Sequence, residues 1–212
     1  MKISRLTWML AASVGSLVGV AGAGAGVVYQ TGNIQYTNVN IAAATDAFTI
    51  QGEVDSTGVF VYFDGFDASG TAIELHGQHG VAFVEPRHAT DSLFRVTITA
   101  QTGWAFANVD WKNDALPPND GLLTFSALDF QGNTIPLSSG TDTFAFSHNG
   151  QNPFHAHADA ATPIWRLIID STVPMMDLKQ VSVDLVQIPA PGALALAGLG
   201  VLTLCRRGAR PA

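Results

Sequence analysis

Two histidines separated by a single residue are the first side chains in this sequence whose spacing could do chemistry. His155 and His157 would point to the same face of an extended strand, so both imidazoles could reach one metal ion. His148 or Asp159 lies close enough in sequence to supply a third ligand, as in cupin-like sites. No glutamate follows at a cupin-like distance, and the Asn-Pro and Ala-Ala-Thr-Pro sequences around the pair favour a loop. Solvated surface histidines are therefore the competing interpretation.

A carboxylate-bearing loop at residues 64–70 is the second candidate. Asp64 and Asp67 offer oxygen ligands of the kind that Ca²⁺ binds along a tight loop. The regular Asp-x-Asp-x-Asp-Gly spacing is missing, so an ordinary Asx-rich hairpin turn is the first interpretation. A second acidic loop is predicted at residues 110–120, with the same alternatives. We expect no resident cofactor, and Ca²⁺ or another divalent metal at these carboxylates or at the histidines is the alternative.

Three tryptophans in strand-like segments could carry a different function. If Trp104, Trp111 and Trp165 are exposed, their rings could stack on sugar faces; if they are buried, they belong to the core. The first case describes a carbohydrate-binding module.

Motifs of the common enzyme classes are missing from the sequence. It contains no Gly-x-Ser-x-Gly elbow, no His-Glu-x-x-His pair and no Gly-rich phosphate loop after a strand. Its single cysteine, Cys205, lies near the end, so the rest of the chain can form neither a disulfide nor a catalytic thiol. We therefore expect a protein that is not an enzyme, with a metal-dependent, cupin-like enzyme as an alternative.

The elements that would position these residues are strands. Apolar and polar residues alternate over 47–54 and 93–100, which predicts half-buried strands, and residues 59–63, 122–130, 164–169 and 181–188 indicate more. Turn sequences such as Pro-Pro-Asn-Asp-Gly separate them, and no helical apolar stripe is present. This pattern predicts an all-β fold, a single antiparallel β-sandwich of jelly-roll type over residues 26–187. An up-and-down barrel is the alternative.

The first 25 residues have the form of a secretory signal peptide. Lys2 and Arg5 precede an uncharged apolar run over 6–21, and Ala-Gly-Ala-Gly-Ala then offers the small residues that signal peptidase requires. Between this leader and the last 25 residues the chain has 17 acidic and five basic residues, a net charge of −12. Such a charge repels phosphate backbones and excludes a nucleic-acid-binding function.

The C-terminal segment, residues 188–212, has the order of a membrane-sorting tail. Pro189 and Pro191 predict an extended entry, and residues 192–205 are 14 residues without a charge. As a helix this run would extend roughly 21 Å, short of the ~30 Å hydrocarbon core. The residues of the predicted membrane helix are Gly192, Leu194, Leu196, Leu199, Val201, Leu202 and Leu204. The basic residues that follow are Arg206, Arg207 and Arg210, which would stay cytoplasmic.

This tail resembles the PEP-CTERM sorting signal of exopolysaccharide-producing Gram-negative bacteria. The resemblance consists of the Pro-x-Pro motif, the short apolar helix and the terminal arginines, with Ala190 in place of the glutamate of the motif. It implies processing by exosortase, a membrane cysteine protease that cuts near the motif.

Taken with the leader, the resemblance implies an exported protein that is anchored transiently in the inner membrane and then reaches the cell surface or the medium. Its expected partners are signal peptidase, exosortase and an exopolysaccharide. Its expected role in the extracellular matrix is structural or adhesive.

Overall fold

The computed structural model describes residues 26–150 and 152–188, so the predicted leader and the sorting tail from residue 189 onward lie outside the described residues. Fifteen strands are described: β1 (Val27–Thr31), β2 (Thr37–Ile41), β3 (Thr45–Ala47), β4 (Thr49–Val54), β5 (Val59–Phe66), β6 (Ala72–Ile73), β7 (Leu75–Gly77), β8 (Gly80–Val81), β9 (Phe83–Pro86), β10 (Leu93–Ala100), β11 (Trp104–Ala115), β12 (Gly121–Leu128), β13 (Thr143–Phe146), β14 (Asn152–Ala158) and β15 (Arg166–Gln187). In this part of the chain there is no helix, and hence none long and apolar enough to cross a membrane.

The strands are hydrogen-bonded in the order β1-β14-β11-β15-β10-β5-β4-β2-β8, and each pairing between them is antiparallel. A second pairing joins β2 back to β15, so that five strands, β15, β10, β5, β4 and β2, form a closed ring. The prediction of an all-β fold is confirmed. A ring of five with further strands attached is more complex than the single sandwich that the sequence predicted.

The long strand β15 makes this closure possible. Its first part, up to Ser171, pairs with β10 and β12, and its second part, from Met175, pairs with β11, β9 and β2. Between them the register with β10 shifts, since Arg95 lies opposite Asp170 but Leu93 lies opposite Met175. Bulged strands can bend from one layer into another. The segments 164–169 and 181–188, predicted as separate strands, thus belong largely to one strand.

Alternation of apolar residues buries one face of these strands in a common core. On β5, Val59, Val61 and Phe63 are buried, and the residues between them are half-buried. Trp111 and Phe125 meet edge to face at 5.0 Å between ring centroids, and Phe154 packs against both. This aromatic cluster joins β11, β12 and β14, and therefore fixes the strands that carry the candidate site.

Candidate functional site

Six polar side chains form two rows on the sheet made by β14, β11 and β15. The strand register places His157 opposite Asn108 and Asn108 opposite Asp184; two residues away, His155 lies opposite Asp110 and Asp110 opposite Ser182. Residues two apart on a strand share a face, so the two rows lie side by side. We call this group the polar array, with an open row (His157, Asn108, Asp184) and a covered row (His155, Asp110, Ser182).

The open row is ordered by one amide. Asn108 Nδ2 donates to Asp184 Oδ2 at 3.1 Å, which turns Asn108 Oδ1 toward His157 Nδ1 at 2.7 Å. Because an amide oxygen only accepts hydrogen bonds, the proton of the His157 ring lies on Nδ1. His157 is exposed, so this end of the open row is accessible to solvent.

The covered row holds a carboxyl group that is fully buried. His155 Nδ1 lies 3.1 Å from Asp110 Oδ1; His155 is 5% exposed and Asp110 is 0% exposed. Burial raises the pKa of Asp110 to about 6, although a hydrogen bond from the Ile34 N–H opposes this. Burial also lowers the pKa of His155, and the neighbouring His157 lowers it further. Desolvation therefore disfavours the charged form of both partners.

The connection between β1 and β2, residues 32–36, covers this second row. The Tyr36 ring stacks on His155 with 5.7 Å between centroids and 22° between planes, and the Tyr36 N–H donates to Ser182 Oγ at 3.2 Å. Burial raises the pKa of Tyr36, and the carboxylates of Asp110 and Asp184 raise it further. The β1–β2 connection thus shields the covered row from solvent, whereas the open row, of similar chemistry, is left exposed.

The histidine rings do not converge on one metal ion. They lie nearly parallel, with 17° between planes and 6.5 Å between centroids, and both Nδ1 atoms face β11. The two Nδ1 atoms are engaged by Asp110 Oδ1 and Asn108 Oδ1, so neither is free to bind a metal ion. In the described residues no three His, Cys, Asp or Glu side chains are grouped to hold a metal ion. His148, one of the two proposed third ligands, is hydrogen-bonded to Asp120 instead, at 2.9 Å.

The prediction that the histidine pair lies in a loop is wrong. Both residues belong to strand β14, which is paired on both sides, with β1 and with β11. Pro153 did not prevent a strand because it is the second residue of β14, where the strand begins.

Nor does the polar array have the order of a catalytic triad. In a Ser-His-Asp triad the imidazole lies between the hydroxyl and the carboxylate and takes the hydroxyl proton. Here Asp110 lies between His155 and Ser182, and Ser182 Oγ accepts a hydrogen bond from the Tyr36 backbone.

The two predicted calcium ligands are used in hydrogen bonds within the fold. Asp64 lies on β5 and accepts from Thr49 Oγ1 at 2.6 Å and from Thr97 Oγ1 at 3.0 Å. Asp67 accepts from the Ser69 N–H, the Ser69 hydroxyl and the Thr71 N–H, and these bonds lower its pKa, that from the Ser69 hydroxyl most. Asp67 therefore forms the Asx turn that was the first interpretation of the sequence.

The second acidic stretch, residues 110–120, is a loop only in its last part: Asn119 and Asp120 lie in the connection between β11 and β12. Asp110 and Asp114 lie on strand β11, where Asp114 pairs with Lys179 at 2.5 Å.

The three tryptophans lie in different environments. Trp111 is 0% exposed in the aromatic cluster, so the glycan-stacking prediction is wrong for this residue. Trp165 is half-buried, with the Arg166 guanidinium 4.8 Å from its ring centroid. Trp104 is half-buried and lines a groove of about 290 Å³ with Val54 and Leu185.

No family model matches this sequence, and no match was found among curated proteins. Among solved structures, the enzymatically active domain of tailspike protein 4 of bacteriophage CBA120 is similar over 76% of this chain, at 14% sequence identity and a TM-score of 0.28. The match spans 19% of that protein's chain.

Proposed function

We propose that this chain is an exported, non-catalytic protein of the cell surface or extracellular matrix, with a structural or adhesive role in an exopolysaccharide. One observation supports this proposal above the others. The first described strand begins at Val27, just after the predicted leader, and the last ends at Gln187, just before the predicted sorting motif. Cleavage at both predicted sites would therefore leave every described strand pairing intact.

The properties of the folded unit are also those expected of an exported, non-catalytic protein. It needs no disulfide, because a large buried core of apolar side chains stabilises it, and its net charge of −12 favours solubility. In the polar array the Ser182 hydroxyl lies next to Asp110 and not next to an imidazole, and it accepts a hydrogen bond from the Tyr36 N–H. In this proposal the two parts of β15 belong to two packed layers of a jelly-roll-like ectodomain. Signal peptidase and exosortase are its processing partners, at the inner membrane.

The experiment that tests this proposal is intact-mass measurement of the protein from a host that encodes exosortase and from an isogenic strain without it. We expect a product that lacks residues 1–25 and everything beyond about Pro191 in the first strain, and a product that retains the tail in the second. The variant Arg206→Ala/Arg207→Ala/Arg210→Ala should retain the tail in both strains. A tail that is retained with exosortase present would contradict the sorting proposal.

A further inference from the structure

A neutral, amide-lined concavity lies beside the polar array and has no role in the proposal above. It is formed by the β1–β2 connection, β2, β8 and β15, and its volume is about 280 Å³. This is close to the lower limit of ligand pockets, about 300 Å³. Its lining residues are Asn33, Gln35, Asn38, Val81, Gln180 and Ser182. We call it the amide pocket.

The lining contains four carboxamides and no charged side chain, although the folded unit as a whole is strongly acidic. Each carboxamide presents one oxygen acceptor and two N–H donors. Within the described part of the chain, none of the four amides forms a side-chain hydrogen bond, whereas other amides, such as those of Asn108 and Asn152, do. Four amides that face one concavity are thus available to a ligand.

The backbone at Gln180 is unusual in a way that concerns this pocket. Its φ is +53°, a left-handed conformation that glycine or asparagine adopts more readily than glutamine. Asp110 lies opposite Ser182 but Lys112 lies opposite Lys179, so β15 has one residue more than β11 over this stretch. Such a bulge redirects side chains, and bulges are frequent next to binding sites. Gln180 is exposed and is held by its N–H, which donates to Ala82 O at 2.8 Å.

We propose that the amide pocket binds the end of a neutral oligosaccharide. Sugar hydroxyls both donate and accept hydrogen bonds, as the four amides do. Val81, which is 40% exposed, offers an apolar contact for the C–H face of a sugar ring. A neutral lining within a protein of net charge −12 disfavours polyanionic glycans. This inference rests on the proposed matrix function and names the class of its ligand.

Calorimetric titration of the full chain tests the inference. The probes are cellotriose, laminaritriose, maltotriose and chitotriose, with trigalacturonate as the anionic comparison. We expect at least one neutral trisaccharide to bind and trigalacturonate not to bind. Gln180→Gly should weaken binding about tenfold or more, because one hydrogen-bonding group is lost and its partner on the sugar is left unpaired. Gln180→Asn should retain more of the affinity, because it keeps a carboxamide.

Thermal unfolding separates a binding role of Gln180 from a structural one. Both Gln180→Gly and Gln180→Asn suit a positive φ better than glutamine does, so both should raise the Tm, while only the first loses most of the binding. Asn38→Leu is a second variant in the pocket and should also weaken binding. The matched control is Gln51→Leu, an exposed amide on β4 outside the pocket, which should leave affinity unchanged.

Three outcomes would overturn the inference: no neutral trisaccharide binds, Gln180→Gly and Asn38→Leu bind as wild type does, or binding depends on Trp104→Ala and not on the amides. None of them affects the mature termini. A failed amide pocket with normal processing therefore contradicts this inference alone. Sugar binding together with a tail that is retained in the host that encodes exosortase contradicts the sorting proposal alone.

Discussion

Asp110 and Asp177 are both completely buried, yet their neighbours differ. Asp110 lies beside the neutral ring of His155, whereas Asp177 Oδ2 lies 3.2 Å from the Lys179 ammonium. Burial nevertheless raises both pKa values to about 6. Lys179 opposes the shift at Asp177, but its ammonium also binds Asp114, whose carboxylate raises the pKa of Asp177 again.

The comparison shows that a nearby cation does not by itself decide the charge of a buried carboxyl group. Desolvation dominates at both sites, and the cation matters through the number of carboxylates that share it. Both sites should therefore be sensitive to pH. In addition, the Asp177 site should be sensitive to loss of its cation, and the Asp110 site to loss of the Tyr36 ring that covers its row.

The largest effect is expected from Lys179→Met. This change removes the cation from two carboxyl groups, of which Asp177 is 0% exposed and the Asp114 side chain is 14% exposed. We expect a loss of about 3–5 kcal/mol in the free energy of unfolding at pH 7.5, measured by urea denaturation. At pH 5 the loss should be smaller, because Asp177, whose pKa is about 6, is then mostly protonated and has no charge for the cation to balance.

Arg95→Met is the matched control for Lys179→Met. Arg95 pairs with Asp170 at 2.6 Å, but both side chains are more than a third exposed. Such a surface pair contributes less than about 1 kcal/mol. Equal losses from the two variants would contradict the view that burial makes the difference.

Asp110→Asn tests the site that has no cation. With a folded-state pKa of about 6 against an ordinary value of 3.8, wild type binds the Asp110 proton more tightly when folded. Its contribution is therefore fully present at low pH and is lost as the pH rises from about 4 to about 6. The variant lacks this loss, so its free energy of unfolding relative to wild type should increase over that interval, by about 3 kcal/mol in total.

Denaturation curves at pH 4, 5, 6 and 8 would measure this difference. Asp170→Asn, at an exposed position, should show no increase relative to wild type. If Asp110→Asn instead became less stable than wild type as the pH rose, the native pair would be an ion pair with a charged His155.

Tyr36→Leu tests the cover of the same carboxyl group. Loss of the ring that stacks on His155 should cost about 1 kcal/mol and admit water to the covered row. The pKa of Asp110 should then fall from about 6 toward 3.8, as followed by NMR titration of its carboxyl carbon. Tyr62→Leu, on β5 and away from the array, should leave that pKa unchanged. An unchanged pKa in Tyr36→Leu would mean that the strands alone bury Asp110.

The parts of the fold that could be predicted from the sequence are those where one face of a strand is buried. On β5 and β12 apolar residues alternate because their other faces are more exposed. On β10 the pattern misled: Thr97 and Thr99, predicted to be on the polar face, are each 6% exposed, and their hydroxyls bond Asp64 and Arg166 on the neighbouring strands β5 and β15.

The candidate site was predictable only along its own strand. The i, i+2 spacing of His155 and His157 indicated that they share a face, and they do. Their partners Asp110 and Asn108 lie 45 and 49 residues away in sequence. No local pattern reveals them, because the register between β11 and β14 is set by packing of the whole sheet. Asp184 was the exception, since a charged residue in the mostly apolar strand segment 181–188 is itself a signal.

The smallest effect is expected in the open row, from Asn108→Ala. Its amide links His157 to Asp184, but both of these side chains are exposed, so water can replace the lost hydrogen bonds. We expect a change of less than about 0.5 kcal/mol in the free energy of unfolding. In the His157 ring, NMR should show that Nδ1–H no longer predominates, since nothing then selects one tautomer. A loss as large as that from Tyr36→Leu would mean that the open row, and not its covered neighbour, stabilises the sheet.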